Sequence, residues 1–142
     1  MRRDLPGGYQ LDDDRGRVDI DAVHAFLTEA YWSKGRSRQT VTRLVREATR
    51  IVAVYEPTGA LVAFARVVSD AENMAWLGDV FVLPGHRGRG LGAAVVEEAV
   101  QHPEHAACNW YLGTSDAHEL YARFGFEALS DGRTMVRPRP PR

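Results

Sequence analysis

Between Val80 and Ala93 the chain reads Val-Phe-Val-Leu-Pro-Gly-His-Arg-Gly-Arg-Gly-Leu-Gly-Ala, and no other stretch restricts the fold as strongly. An apolar, strand-like run feeds a loop of glycine and arginine, and the loop opens a helix running from about Leu91 to His102, with Pro103 beyond it. The first backbone N–H groups of such a helix have no partner within it, and the helix dipole favours negative charge there. Glycines let an anion approach the backbone closely. Arg87 and Arg89 add charge-assisted hydrogen bonds. A phosphate or pyrophosphate site at the end of a sheet strand is the physical expectation.

The flanking sequence supplies the rest of the sheet. After a polar start with a short strand near Tyr9–Leu11, Asp19 is placed to cap a helix in which Ile20, Val23, Leu27 and Tyr31 recur at helical spacing, with Lys34-Gly35 as a stop. A second helix begins near Ser37, with Val41, Leu44, Val45 and Ala48 on its apolar face. Ile51–Tyr55 and Leu61–Val68 read as strands joined by the turn Glu56-Pro57-Thr58-Gly59, and Met74–Leu83 as a third. The continuous apolar character of these runs predicts central strands covered on both faces. Further along, Asn109–Gly113 reads as a strand and Asp116–Phe124 as a short helix, with Asp116 and Glu119 at capping-box spacing and Gly125 as C-cap. Phe126–Leu129 and Thr134–Val136 read as a last hairpin turning at Asp131-Gly132. The expected fold is α/β: one domain over residues 1–136, built on a mixed sheet with helices on both faces. The Pro/Arg-rich tail 137–142 is expected to be disordered.

Composition narrows the function classes. A formal net charge of −1 makes no case for nucleic-acid binding. No apolar stretch approaches the ~20 residues of a membrane span, and no signal-peptide core follows Met1, so the cytoplasm is the expected location. Cys108 is the single cysteine, which excludes an intrachain disulfide and a Cys-rich zinc site; its apolar neighbourhood reads as that of a buried thiol. No metal is expected.

Three loop patterns compete for the central segment. A Walker A loop needs a terminal Gly-Lys-Ser/Thr, which is missing. Gly88, Gly90 and Ala93 can be forced into G-x-G-x-x-A, but a dinucleotide-binding unit should open its domain, and three strands precede this loop. The third pattern is R-x-x-G-x-G, fitted by Arg87, Gly90 and Gly92 after Val82-Leu83-Pro84. It resembles motif A of the GNAT superfamily of N-acetyltransferases. Leu120-Tyr121-Ala122-Arg123-Phe124-Gly125-Phe126 is similar to the later L-Y-x-x-x-G-F motif of that family, and the resemblance extends over residues 18 to 136. Phe26–Ser37 and Asp116-Ala117-His118 look like a subgroup of small GNAT proteins.

The resemblance implies a mostly antiparallel sheet with a splayed central strand pair. It also implies acetyl-coenzyme A as co-substrate, its pyrophosphate held by Arg87, Gly88, Arg89, Gly90, Leu91, Gly92 and Ala93. The pantetheine arm would lie along the strand ending at Phe81 and Val82, where a backbone N–H would polarise the thioester. An amine acceptor, small molecule or protein, would attack directly. Tyr121 matches the family's general acid. Asp79, His118 or a water chain would take the amine proton, although a carboxylate inside an apolar run such as Asp79 reads first as a hydrogen-bonding residue. Thr114 stands where many members carry Asn, which puts that contact in question. Tyr31, Trp32 and Trp76 would line the acceptor pocket. The alternative is an acyl-coenzyme A sensor of the same fold. The acceptor's identity and a homodimeric state stay open at this level.

Overall fold

The computed structural model describes residues 1–141 and places six strands in one sheet in chain order. They are β1 (Arg2–Asp4), β2 (Gln10–Asp12), β3 (Arg50–Tyr55), β4 (Leu61–Ser69), β5 (Met74–Val82) and β6 (Asn109–Tyr111). All neighbours are antiparallel except β5 and β6, which run parallel. Helices α1 (Ile20–Leu27) and α2 (Arg38–Glu47) cover one face, α3 (Leu91–Val100) covers the other, and α4 (His118–Ala122) follows β6.

Local chemistry sets the helix starts. The Asp19 carboxylate accepts the Ala22 N–H at 3.1 Å, and the Ser37 hydroxyl accepts the Thr40 N–H at 3.1 Å. The apolar faces of α1 and α2 bury Val23, Leu27, Val41 and Val45 against Ile51, Ala53, Tyr55 and Phe64. On the opposite face Leu91, Val95, Val96 and Ala99 of α3 meet Val52, Val54, Val62 and Val67. Alternate residues of β3 therefore feed different layers, and all six are buried, which explains its continuous apolar run. Each fully buried side chain of this kind contributes roughly 1.5–3 kcal/mol.

Two irregularities of β5 shape the molecule. Phe64 pairs with Phe81 and Arg66 with Gly78, so one residue of β4 stands opposite two of β5. Asp79 lies in this bulge with φ 53°. The bulge reverses the strand's facing: Leu77 packs in the α3 layer, whereas Phe81, of the same parity, packs in the α1/α2 layer. The second irregularity is the short pairing with β6, which covers only Met74 to Trp76 against Asn109 to Tyr111. Beyond Trp76 the two strands part, which is the expected splay.

Several boundaries differ from the sequence reading. The first helix ends at Leu27 rather than near Tyr31, α3 ends at Val100 rather than His102, and β6 ends at Tyr111 rather than Gly113. Asp116 does not cap α4: Thr114 Oγ1 accepts the N–H groups of Ala117 (3.1 Å) and Asp116 (3.4 Å), and the helix starts at His118. The terminal hairpin is not formed. Asp131 accepts the Arg133 N–H at 2.9 Å in a turn, but the arms on either side are not strands, and Met135 and Val136 find no apolar surface to cover them. The polar strand β1 went unread because its exposed edge carries no apolar pattern. Cys108 is half-buried rather than buried, with its sulfur 3.8 Å from the Ser69 hydroxyl. Residues 137–141 have no regular structure, and Arg142, the end of the expected tail, lies outside the described residues. No described helix is long and apolar enough to cross a membrane.

Candidate active site

The segment leaving β5 turns through Pro84–His86 and enters α3 at Gly90, the N-cap, whose φ is 78° and which offers no side-chain cap. Gly88 has the same φ of 78°, and a Cβ built on either residue meets nothing within 4 Å. The loop therefore needs glycine for its left-handed backbone, and it leaves open space over an uncapped helix N-terminus. Gly92 lies deeper, where a Cβ would contact Val82 (3.6 Å) and Leu120 (3.7 Å). Arg87 Nε donates to the Val82 carbonyl at 3.0 Å, which ties the loop to the strand end. The Arg89 guanidinium lies 6.0 Å from the centre of the Tyr9 ring, whose hydroxyl is hydrogen-bonded to His86 Nδ1 at 2.8 Å. Free backbone donors, two exposed arginines and glycine clearance together fit a pyrophosphate.

A cavity of about 430 Å³ opens beside the unpaired part of β5. Tyr31 and Trp32 enter it from the α1–α2 connection, Trp76 and Asp79 from β5, Thr114 from the loop after β6 and Tyr121 from α4. The Tyr31 hydroxyl accepts the Ser115 N–H at 3.0 Å and so joins two walls. Asp79 forms the floor. Its Oδ1 accepts from Trp32 Nε1 at 3.0 Å, and its Oδ2 accepts from Arg36 Nη1 at 2.9 Å and Arg66 Nε at 2.8 Å. Burial pushes this carboxyl up, but the charges and hydrogen bonds of Arg66 and Arg36 outweigh it and hold the group below the ordinary carboxylate value.

Tyr121 is 8% exposed, and burial, with Tyr31 and Asp116 nearby, pushes its phenol up to about 12. It lines this cavity and also a second one of about 590 Å³, between residues 110–114 and 126–129.

These features agree with a match to the acetyltransferase (GNAT) family over residues 19–126. The chain belongs to the GNAT family. A GNAT-family protein from Xanthomonas campestris pv. campestris is 36% identical, with a TM-score of 0.86 over 94% of each chain. A Deinococcus radiodurans R1 structure has a TM-score of 0.77 at 20% identity, covering 98% of this chain and 94% of its own, and supports the fold. Histone acetyltransferase TAP1 of Glycine max is 34% identical over 74 residues, which is 51% of this chain and 32% of that protein. The chain thus spans about a third of that relative's length. Acyl transfer is the general chemistry these relatives support.

In this GNAT chain the structure brings Tyr31, Trp32, Trp76, Asp79, Thr114 and Tyr121 to one cavity. His118 is not on this cavity; it lines the second one together with Thr114 and Tyr121. The Phe81 ring faces away from the α3 layer: it stacks on Phe26 at 4.3 Å between centroids and lies 5.8 Å from Phe64, so only its backbone is available at the cleft. Val82 is half-buried on the α3 side. Sequence reasoning missed Arg36 and Arg66. The available signal was a charge inside the apolar run Leu61–Val68, which demands a partner, as Asp79 does in the next apolar run, 13 residues on.

Proposed function

We propose that this protein transfers an acetyl group from acetyl-coenzyme A to an amine acceptor by direct attack in a ternary complex. The observation that carries the reading is the position of Tyr121, on the wall of a cleft that opens where β5 and β6 part, with the uncapped start of α3 at the end of the same strand. Acetyl-coenzyme A, when bound, supplies the acetyl group as a thioester. The N–H groups opening α3, with Arg87 and Arg89, bind the pyrophosphate. The free edge of β5 near Val82 offers a backbone donor to the carbonyl oxygen.

Tyr121 acts on the leaving group. A phenol pushed up to about 12 stays protonated at neutral pH, so it donates a hydrogen bond to sulfur as the carbon–sulfur bond breaks and the carbon–nitrogen bond forms. Asp79 anchors Arg36 and Arg66. A carboxylate held in its ionised form, with both oxygens accepting hydrogen bonds, is a weak proton acceptor. With His118 off the cleft, the amine proton leaves through water at the mouth.

The test is an acetyl-transfer screen over an amine panel, run beside calorimetric titration with acetyl-coenzyme A. Transfer to any amine supports the enzyme. Binding without transfer across the panel leaves a sensor module, and absence of binding removes both readings.

A further inference from the structure

The cleft floor carries more positive charge than it needs. Arg36 and Arg66 share the single carboxylate of Asp79. Over the whole lining, Arg36, Arg66 and Arg139 face Asp79 and Asp116, which leaves one surplus positive charge. Arg36 is 5% exposed, and its Nε is buried without a hydrogen-bond partner. An unmet buried donor of a cation is costly in the free protein, so Asp79 alone does not balance the floor.

The geometry beside Gly78 shows which donors stand at the cavity wall. A Cβ built on Gly78 would lie 3.1 Å from Trp76 Nε1 and 3.4 Å from Arg66 Nη2. The bare glycine therefore lets the Trp76 indole N–H and an Arg66 guanidinium nitrogen close in over the strand, nearer than a side chain at residue 78 would allow, and sets the two donors near one another on the cavity wall. Neither donor makes a hydrogen bond among the described residues; Arg66 engages Asp79 through Nε alone. Around the cavity Tyr31, Trp32 and Trp76 keep 56%, 38% and 40% of their surface exposed. Aromatic faces beside paired donors suit an apolar molecule with an anionic end.

Building on the acetyl-transfer reading, we propose that the cleft selects amines that also carry a carboxylate, held on the cavity side of Trp76 Nε1 and Arg66 Nη2 beside Gly78, with an aromatic or aliphatic body against Tyr31 and Trp32. The surplus of one positive charge matches a carboxylate better than a phosphate monoester, whose charge at neutral pH approaches −2. The planar guanidinium of Arg66 suits a carboxylate's two oxygens.

Matched acceptor pairs differing in that group test the proposal: tryptophan with tryptamine, phenylalanine with phenethylamine and tyrosine with tyramine, with phosphoethanolamine, which has no carboxylate, as the phosphate arm. Each is read as kcat/KM for acetyl transfer and as the melting-temperature shift it produces. The expected preference for the carboxylate member is about tenfold to a hundredfold, the range of one or two charge-assisted hydrogen bonds. Gly78→Ala, at a residue whose φ admits alanine, puts a methyl 3.1 Å from Trp76 Nε1 and 3.4 Å from Arg66 Nη2 and so displaces the two donors, and Arg66→Gln removes the guanidinium. Both are expected to raise KM for the carboxylate member alone, with acetyl-coenzyme A affinity unchanged. Equal or better use of the decarboxylated amines, a preference for phosphoethanolamine, or an undiminished carboxylate preference in Gly78→Ala overturns the inference. A wild-type protein that binds acetyl-coenzyme A yet shows no carboxylate preference sinks this inference alone. One that binds none removes the underlying reading as well.

Discussion

Asp79→Asn separates a scaffold role from a base role at the cleft floor. Asparagine is nearly isosteric with aspartate and is among the residues that best tolerate a positive φ, so the bulge at φ 53° keeps its backbone. What changes is charge. The Asp79 side chain is 3% exposed and holds two guanidiniums, whose side chains are 6% (Arg36) and 14% (Arg66) exposed. Charges about 4 Å apart attract by about 4 kcal/mol at an effective dielectric near 20. Measured losses on removing one partner of a buried pair run from about 3 to 5 kcal/mol. An amide oxygen still accepts one hydrogen bond, so about 3 kcal/mol is expected. For a domain of this size that corresponds to a fall in melting temperature of roughly 10 °C. Thermal unfolding followed by circular dichroism, with urea titration for the free energy, reads it directly. Arg36→Gln added to Asp79→Asn should cost much less than the sum of the two single changes, because the groups act as one unit. A melting temperature within about 3 °C of wild type, with acetyl transfer abolished, would refute the scaffold account and return Asp79 to the role of base.

Tyr121→Phe removes only the hydroxyl. Turnover should fall by up to about 10²–10⁴-fold with acetyl-coenzyme A affinity unchanged, as single-turnover kinetics and calorimetry on one sample will show. In the wild type, a phenol pushed up to about 12 should give no loss of rate from its own ionisation as pH rises to about 10, so a fall there would assign the group wrongly. His105 is 1% exposed with no hydrogen bond to either ring nitrogen, and burial, which outweighs the Glu104 carboxylate 3.7 Å from Nε2, pushes it below the ordinary histidine value, so it is neutral in the fold at neutral pH. The unfolded chain binds that proton near pH 6.5. The contribution is therefore fully present above about 6.5 and is lost as pH falls, by up to about 1.4 kcal/mol per unit. Urea unfolding at pH 7.5, 6.5 and 5.5 should show a shallower decline in His105→Leu, and an identical slope would rule out His105 as the source.

Elements with a local cause were legible in the sequence. Asp19 and Ser37 cap where expected because each needs only an N–H three residues on. The strand β3 and the helix α3 declare themselves by apolar pattern, and Gly88 and Gly90 by a loop that needs a left-handed backbone. Competition and distance hid the rest. No side chain caps α4 where Asp116 was expected to: Thr114 accepts the N–H groups of Asp116 and Ala117 in the turn before the helix, a competition between nearby acceptors that spacing does not decide. Phe81 faces the wrong layer for a parity argument because the bulge at Asp79 slips the alternation by one residue. The pairs Arg36–Asp79 and Arg66–Asp79 span 43 and 13 residues, and only the fold brings them together. The family motifs located Tyr121 and the glycine loop. The cleft's surplus charge, formed by residues on five separate segments of the chain, has no sequence signature.

Calorimetric titration of acetyl-coenzyme A into the wild type, Gly90→Asn and Gly90→Asp tests the central claim most directly. Both substitutions share the strain of a left-handed position at φ 78°, and both enter space with no atom within 4 Å, so they differ in charge. The wild type should bind one equivalent. Gly90→Asn should bind more weakly, and Gly90→Asp weaker again by about a hundredfold or more, since like charges forced together cost several kcal/mol. Equal affinity for the Asn and Asp variants, or no binding by the wild type, would place the pyrophosphate somewhere other than the start of α3.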